Sequence, residues 1–395
     1  MAIILLALNL RTAVAAISPI ADQIGVDIEL TSVSLGLIGM LPPVLFATAG
    51  FIAPVIARRI GLEATLVIAL SVMVVGHLSR SLTDGFLGLF LGSAAALVGM
   101  GMGNILLPPV VKRYFPDRIG VVTAAYFTLM SVSTAVPALL AVPIADSLGW
   151  RLSVGVWSVL AAMALVPWVA LLIGHRRALS AAAEDGTPEL TSPGVITRLW
   201  RSPIALALSL SMAVSSLSAY ACFAWLPTIL GDIAGTTAAE AGALLALFSL
   251  AGFPAGIIAP ILVQRLRNPG WIVQGGVVLF VSGYLGLLLA PTAITWLWVL
   301  LVGLGPILFP VTLALINTRT TSTQNSASLS GFVQGIGYTI GATGPLLVGL
   351  LHELTGGWTV PIVALLVVCL TAIVAGIVLA RPGTVEDELE RHEHR

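Results

Sequence analysis

Apolar stretches of about 20 residues recur along almost the whole chain, separated by short polar breaks. A hydrocarbon core about 30 Å thick takes about that much helix to cross. Runs such as Leu66-Val67-Ile68-Ala69-Leu70 continue through consecutive positions, so the in-out alternation of a membrane barrel is missing. Helices are the remaining spanning element. The pattern predicts an all-α integral membrane protein of twelve spans, at 2–22, 34–57, 61–80, 85–111, 119–146, 151–174, 203–231, 239–263, 270–290, 293–317, 326–351 and 358–380. The longest polar interruption, 175–202, reads as a cytoplasmic linker between two six-helix halves, 1–174 and 203–381, with a short tail at 382–395.

The halves repeat each other. Gly50-Phe51-Ile52-Ala53-Pro54 at the end of span 2 is echoed by Gly256-Ile257-Ile258-Ala259-Pro260 at the end of span 8. Gly103-Asn104-Ile105-Leu106-Leu107-Pro108 in span 4 matches Gly305-Pro306-Ile307-Leu308-Phe309-Pro310 in span 10, and Pro137 with Gly149-Trp150 recurs as Pro345 with Gly357-Trp358. The offsets nearly agree, so the halves run in parallel, an arrangement that resembles the major facilitator fold.

Composition agrees with a lipid solvent: 58% of residues are hydrophobic and 9% charged, against about 25% charged in a soluble domain. Net charge is zero, so neither a nucleic-acid footprint nor an acidic tail dominates, and no nucleic-acid partner is expected. Basic residues concentrate in alternate loops, at Arg58 and Arg59, Lys112, Arg113 and Arg118, Arg176 and Arg177, Arg265 and Arg267, then Arg319 and Arg381. By the positive-inside rule those loops and both termini face the cytoplasm, placing a multi-pass protein in the cell membrane. The first apolar run lacks a small-residue cleavage pattern, which predicts a retained helix rather than a signal peptide. Cys222 and Cys369 lie in apolar stretches and read as small hydrophobes.

One charge stands out. Arg11 lies about 13 Å into span 1, close to the bilayer midplane, where a charge costs at least ~2.5 kcal/mol and turns toward a bundle interior or a wet cavity. No carboxylate occurs at comparable depth, because the acidic residues all fall at span ends or in loops. A guanidinium without a protein counter-ion suits a small anion or polarised carbonyl, which its fork binds in two places. The alternative is a packing lock, with Arg11 held by helix-end carbonyls and side chains such as Asn9.

Longer stretches carry a closer resemblance: Asn9-Leu10-Arg11 with Pro19; Gly103-Asn104 through Lys112-Arg113-Tyr114-Phe115-Pro116; Tyr220 through Trp225-Leu226-Pro227; Ala241-Gly242 with Pro254; and Leu329-Ser330-Gly331-Phe332 through Gln334-Gly335 and Gly337-Tyr338 to Gly344-Pro345. Together they resemble the cyanate and nitroimidazole transporter branch of the major facilitator superfamily, over essentially the full chain. Thr12 departs from the proline that commonly follows the family's Asn-Leu-Arg. The loop between spans 2 and 3 is degenerate as well, with Pro54 and Arg58 at the Gly and Asp positions and Glu63 where a basic residue is expected. Arg59, and its echo Arg265, act there as gating residues or as topological anchors.

The resemblance implies transport of small, often anionic or polar molecules, with spans 1, 4, 7 and 10 walling a cavity. Asn104, Tyr126, Trp225 and Asn317 are candidate lining residues, Trp225 either stacking on a planar anion or anchoring at the membrane interface. Gln334 and Tyr338, four apart on one face, add polar groups that line a cavity or join helices. His77 and His352 are candidate proton relays or packed histidines. Lys112 is the only lysine and no phosphate-cradling Gly-x-x-x-x-Gly-Lys loop precedes it, and no hydrolytic motif is present. Secondary transport by a monomer, without metal or cofactor, is the expectation; efflux of drugs or metabolites by the same fold is the alternative, and an integral-membrane enzyme fits less well.

Overall fold

In the computed structural model, which describes residues 1–179, 199–321 and 323–393, every regular element is helical. The chain begins with α1 (Ala2–Asn9), leaves the helix through residues 10–17, makes a 3-10 turn at Ser18–Ile20 and closes with α2 (Ala21–Gly25). Long helices follow: α3 (Ser32–Ile60), α4 (Leu62–Ser81), α5 (Phe86–Tyr114) and α6 (Ile119–Leu148), then α7 (Trp150–Gly155) running into α8 (Trp157–Leu179). The series resumes with α9 (Pro203–Ala234), α10 (Ala238–Arg265) and α11 (Gly270–Leu289). Next come α12 (Thr295–Leu304) and α13 (Leu308–Thr318), joined by a 3-10 turn at Gly305–Ile307. Last are α14 (Thr323–Gly341), α15 (Thr343–Thr355), α16 (Thr359–Leu379) and the short α17 (Val385–Glu393). Most of the expected linker, residues 180–198, lies outside the described residues.

Among the described residues, ten helices or joined helix pairs are long and apolar enough to cross a membrane. The two other expected spans, 2–22 and 326–351, are interrupted instead of continuous. Pro345 accounts for the break between α14 and α15, since its ring clashes with the carbonyl four residues back, at Gly341. In the first span, side chains compete with the backbone: Asn9 Nδ2 donates to the Leu5 carbonyl and Thr12 Oγ1 to the Asn9 carbonyl, while Pro19 removes a donor just beyond. Irregular backbone at membrane depth is tolerated where it lines a cavity.

Two large hydrophobic clusters form, one drawn from Ile3 to Trp168 and one from Leu199 to Val385 that takes in only Ala15, Ala135 and Ala138 from the earlier chain. They meet along two seams, α3 against α15 and α6 against α10. The repeat relates these seams: α10 echoes α3, and α15, which carries Pro345, echoes the second part of α6, which carries Pro137. Side-chain bonds repeat too, with Trp150 Nε1 donating to Asp27 at 2.9 Å and Trp358 Nε1 to Asp232 at 2.7 Å.

Candidate functional site in a central cavity

The break after α1 places Arg11 at the junction of the two clusters, half-buried. Its guanidinium lies 4.7 Å from the centre of the Phe46 ring on α3, a cation–π distance. Across a central cavity it faces Tyr220 on α9 and Tyr338 on α14, both buried. Arg11 thus stands between the first cluster and the second, opposite neutral hydroxyls. The cavity it lines has a volume of about 210 Å³, and its walls carry Phe223, Phe248 and Phe309 together with Ser131, Thr134, Ser215, Ser216 and Ser249. Among the described residues no other charged side chain lines that cavity. One fixed positive charge, several hydroxyls and an aromatic enclosure can hold a small planar solute bearing one negative charge or a polarised oxygen.

The two ends of the bundle differ. At the end opposite the chain termini the seams are closed: a methyl group added at Gly36 would stand 3.1 Å from Leu346, and one at Gly349 2.7 Å from the Ser32 carbonyl. On the other seam, Gly242 is as tightly set against the Ala138 carbonyl, at 2.7 Å. A clamp reinforces this end, with Arg151 bonded to Asp27 and, at 2.8 Å, to Asp84. Toward the termini, Gly252, Gly256, Gly331 and Gly335 have nothing within 4 Å of that position. A cleft of about 390 Å³ lies there and shares Gly252, Phe309 and Pro310 with the central cavity. The site therefore opens toward the end that bears the termini. Gly252 and Gly256 border the cleft, whereas Gly337, Gly341 and Gly344 pack against Met212, Ser216 and Leu217.

Of the residues singled out in the sequence, the structure brings Arg11 and Tyr338 together and places the others elsewhere. Asn9 is buried against α8, donating to the Leu160 carbonyl at 3.2 Å, which turns it from the cavity toward packing. Trp225 donates to the Pro345 carbonyl at 2.8 Å and lies beside Trp358, so it is occupied at the closed seam rather than in the cavity. Asn104 is half-buried on α5 and does not line the cavity; Tyr126 is buried in the first hydrophobic cluster. Asn317 borders the terminal cleft, and Gln334 donates to Ser330 within its own helix. His77 is fully buried behind the break, 3.3 Å from Thr12 Oγ1, and His352 stacks on Trp358 with ring centres 3.8 Å apart. Neither histidine lines the cavity. Arg59 and Arg265 are exposed at the terminal end.

Tyr220 and the phenylalanine walls were not singled out, although α9 gave a signal. Ser209, Ser211, Ser215, Ser216 and Ser218 load this span with hydroxyls that lipid would penalise, marking it as interior. Two further polar features are structural. Glu63, the departure in the loop after α3, is buried and accepts from Tyr114 at 2.6 Å, with Arg113 3.4 Å away. Arg80, fully buried at the end of α4, donates to the Val154 carbonyl at 3.0 Å.

Comparison with known proteins agrees with this geometry. Residues 1–342 match the family model of the Major Facilitator Superfamily. The transporter YycB of Bacillus subtilis is 32% identical over 95% of this chain and 91% of its own length. The 2-nitroimidazole transporter of Escherichia coli is 31% identical over 96% and 94%, and the cyanate transport protein CynX of Escherichia coli 26% identical over 90% of each. Among solved structures, a D-xylose-proton symporter superposes with a TM-score of 0.71 over 98% of both chains at 14% identity, a likeness of fold. On these grounds the chain belongs to the Major Facilitator Superfamily of multi-pass secondary transporters.

Proposed function

We propose that the protein carries a small polar or anionic solute across the cell membrane by alternating access, with the solute held between Arg11 and the hydroxyls of Tyr220 and Tyr338. Cyanate-like ions, small carboxylates and nitroheterocycles fit this description, and relatives named for cyanate and 2-nitroimidazole support it. The observation that carries the reading is the position of Arg11, the single charge that the described residues bring to a cavity to which both hydrophobic clusters contribute. A solute bridging Arg11 to the tyrosines ties the two halves, 1–174 and 203–381, together, and its binding energy favours the occluded form. The basic loops support a cytoplasmic location for both termini, so the open cleft faces the cytoplasm. In this reading Arg59 and Arg265 anchor that face and border the gate, and the monomer is the working unit.

A thermal-shift series on purified protein tests the assignment. Cyanate, small carboxylates and nitroheterocycles are offered to the native chain and to Arg11→Gln. At least one solute raises the melting temperature of the native protein and fails to raise that of the variant. Equal shifts in both proteins would remove Arg11 from the site.

A further inference from the structure

We infer that this carrier is an anion exchanger, crossing readily only when loaded and returning with a second anion. The inference rests on the proposed reading that Arg11 holds the transported solute. It begins with a charge inventory. Among the described residues no carboxylate lines the cavity around Arg11, and those on the long helices sit at helix ends, as Glu63 does in the first turn of α4 and Glu240 in that of α10. Arg11 is permanently charged, since guanidinium does not lose its proton at physiological pH. What surrounds it is neutral: the Phe46 face, two tyrosine hydroxyls and a cavity wall of phenylalanines and hydroxyl groups. The histidines are engaged elsewhere, His77 with Thr12 and His352 on Trp358, so neither brings a compensating charge.

Occlusion closes the cleft beside Gly252 and Phe309 and strips water from the guanidinium. With an anion aboard, the site crosses as a neutral pair. Empty, it crosses as a bare cation in a low-dielectric enclosure, and desolvation of an unpaired charge is costly. The Tyr220 and Tyr338 hydroxyls, which share the cavity wall with Arg11, reduce that cost as neutral dipoles but leave the charge in place. The empty crossing is therefore slow and carries one positive charge through the membrane field, whereas the loaded crossing is fast and carries none. Net movement and exchange thus differ in rate and in voltage dependence, a distinction that a carrier with an acidic residue in its cavity would not need.

Full-length protein in sealed proteoliposomes tests this with radiolabelled cyanate and radiolabelled benzoate as probes. Uptake into vesicles preloaded with the unlabelled anion should exceed uptake into empty vesicles by at least about tenfold in initial rate. A potassium–valinomycin potential should alter the empty-vesicle rate and leave exchange unchanged. The double variant Tyr220→Phe with Tyr338→Phe removes the neutral dipoles, so the ratio of exchange to net uptake should rise. Equal rates in loaded and empty vesicles, or an equal voltage response of the two modes, would overturn exchange while leaving solute transport intact. Failure of both probes to move in either mode would overturn the anion-binding reading itself, and the exchange proposal with it.

Discussion

At the scale of single residues, the site depends on one break in one helix. Asn9 and Thr12 draw the backbone out of α1, and the break delivers Arg11 to the cavity instead of burying it along a helix face. Its position was legible in the sequence because a guanidinium at mid-span depth has few uses. Its partners were not, because periodicity assigns a side chain to a face but not to the helix that will oppose that face across the seam; Tyr220 needed the fold. Each tyrosine offers one O–H to the solute, so Tyr220→Phe or Tyr338→Phe should weaken solute affinity roughly two- to tenfold, the value of one hydrogen bond. Equilibrium binding to the single variants measures this, and unchanged affinity in both would show that the hydroxyls do not share the solute.

Asp27 offers a second test at the same scale. The Trp150 indole, and then Arg151, hold its carboxyl below the usual carboxylate range. A pKa depressed in the folded state means that the contribution is complete above the unfolded-state value and is lost as the pH falls through the folded one. Thermal stability in detergent should thus decline on acidification below about pH 4, and Asp27→Asn should flatten part of that decline. Melting curves across the acid range compare the two proteins, and parallel curves would contradict the assignment.

At the scale of elements, hydropathy located the ten continuous spans well because burial in lipid depends on composition. It missed the interruptions in the first and eleventh expected spans, since an apolar average does not register where the backbone leaves the helix. Pro19 and Pro345 carried that information locally. The glycines divide in an informative way. Gly36, Gly242 and Gly349 on the closed seams already pack, while Gly252 and Gly256 on α10, with Gly331 and Gly335 on α14, face open space. Small residues in open space on a seam helix are explained if that space closes in the opposite state of the cycle. Gly252→Leu and Gly256→Leu should fold well, with helix propensity gained by about 0.8 kcal/mol each, yet transport poorly because the cleft cannot shut. Melting temperature and uptake measured on the same preparations separate the effects; full transport by both variants would contradict closure at these positions.

At the scale of the whole molecule, two clusters joined by two symmetry-related seams form a body that can rock about its centre, and the cavity sits where rocking exchanges access. The sequence repeat anticipated this plan, and the paired Trp150–Asp27 and Trp358–Asp232 bonds extend it to individual hydrogen bonds. The solute's identity was less legible, because a cavity is shared among α6, α9, α10, α13 and α14 and its shape belongs to none of them alone. The central claim is that the charge on Arg11 holds the transported solute. Uptake of radiolabelled cyanate by proteoliposomes containing matched amounts of the native protein and of Arg11→Ala tests it most directly. The initial rate at low cyanate should fall by about 10- to 100-fold in the variant, the value of a charge-assisted contact; uptake at the native rate by correctly inserted Arg11→Ala would contradict the account.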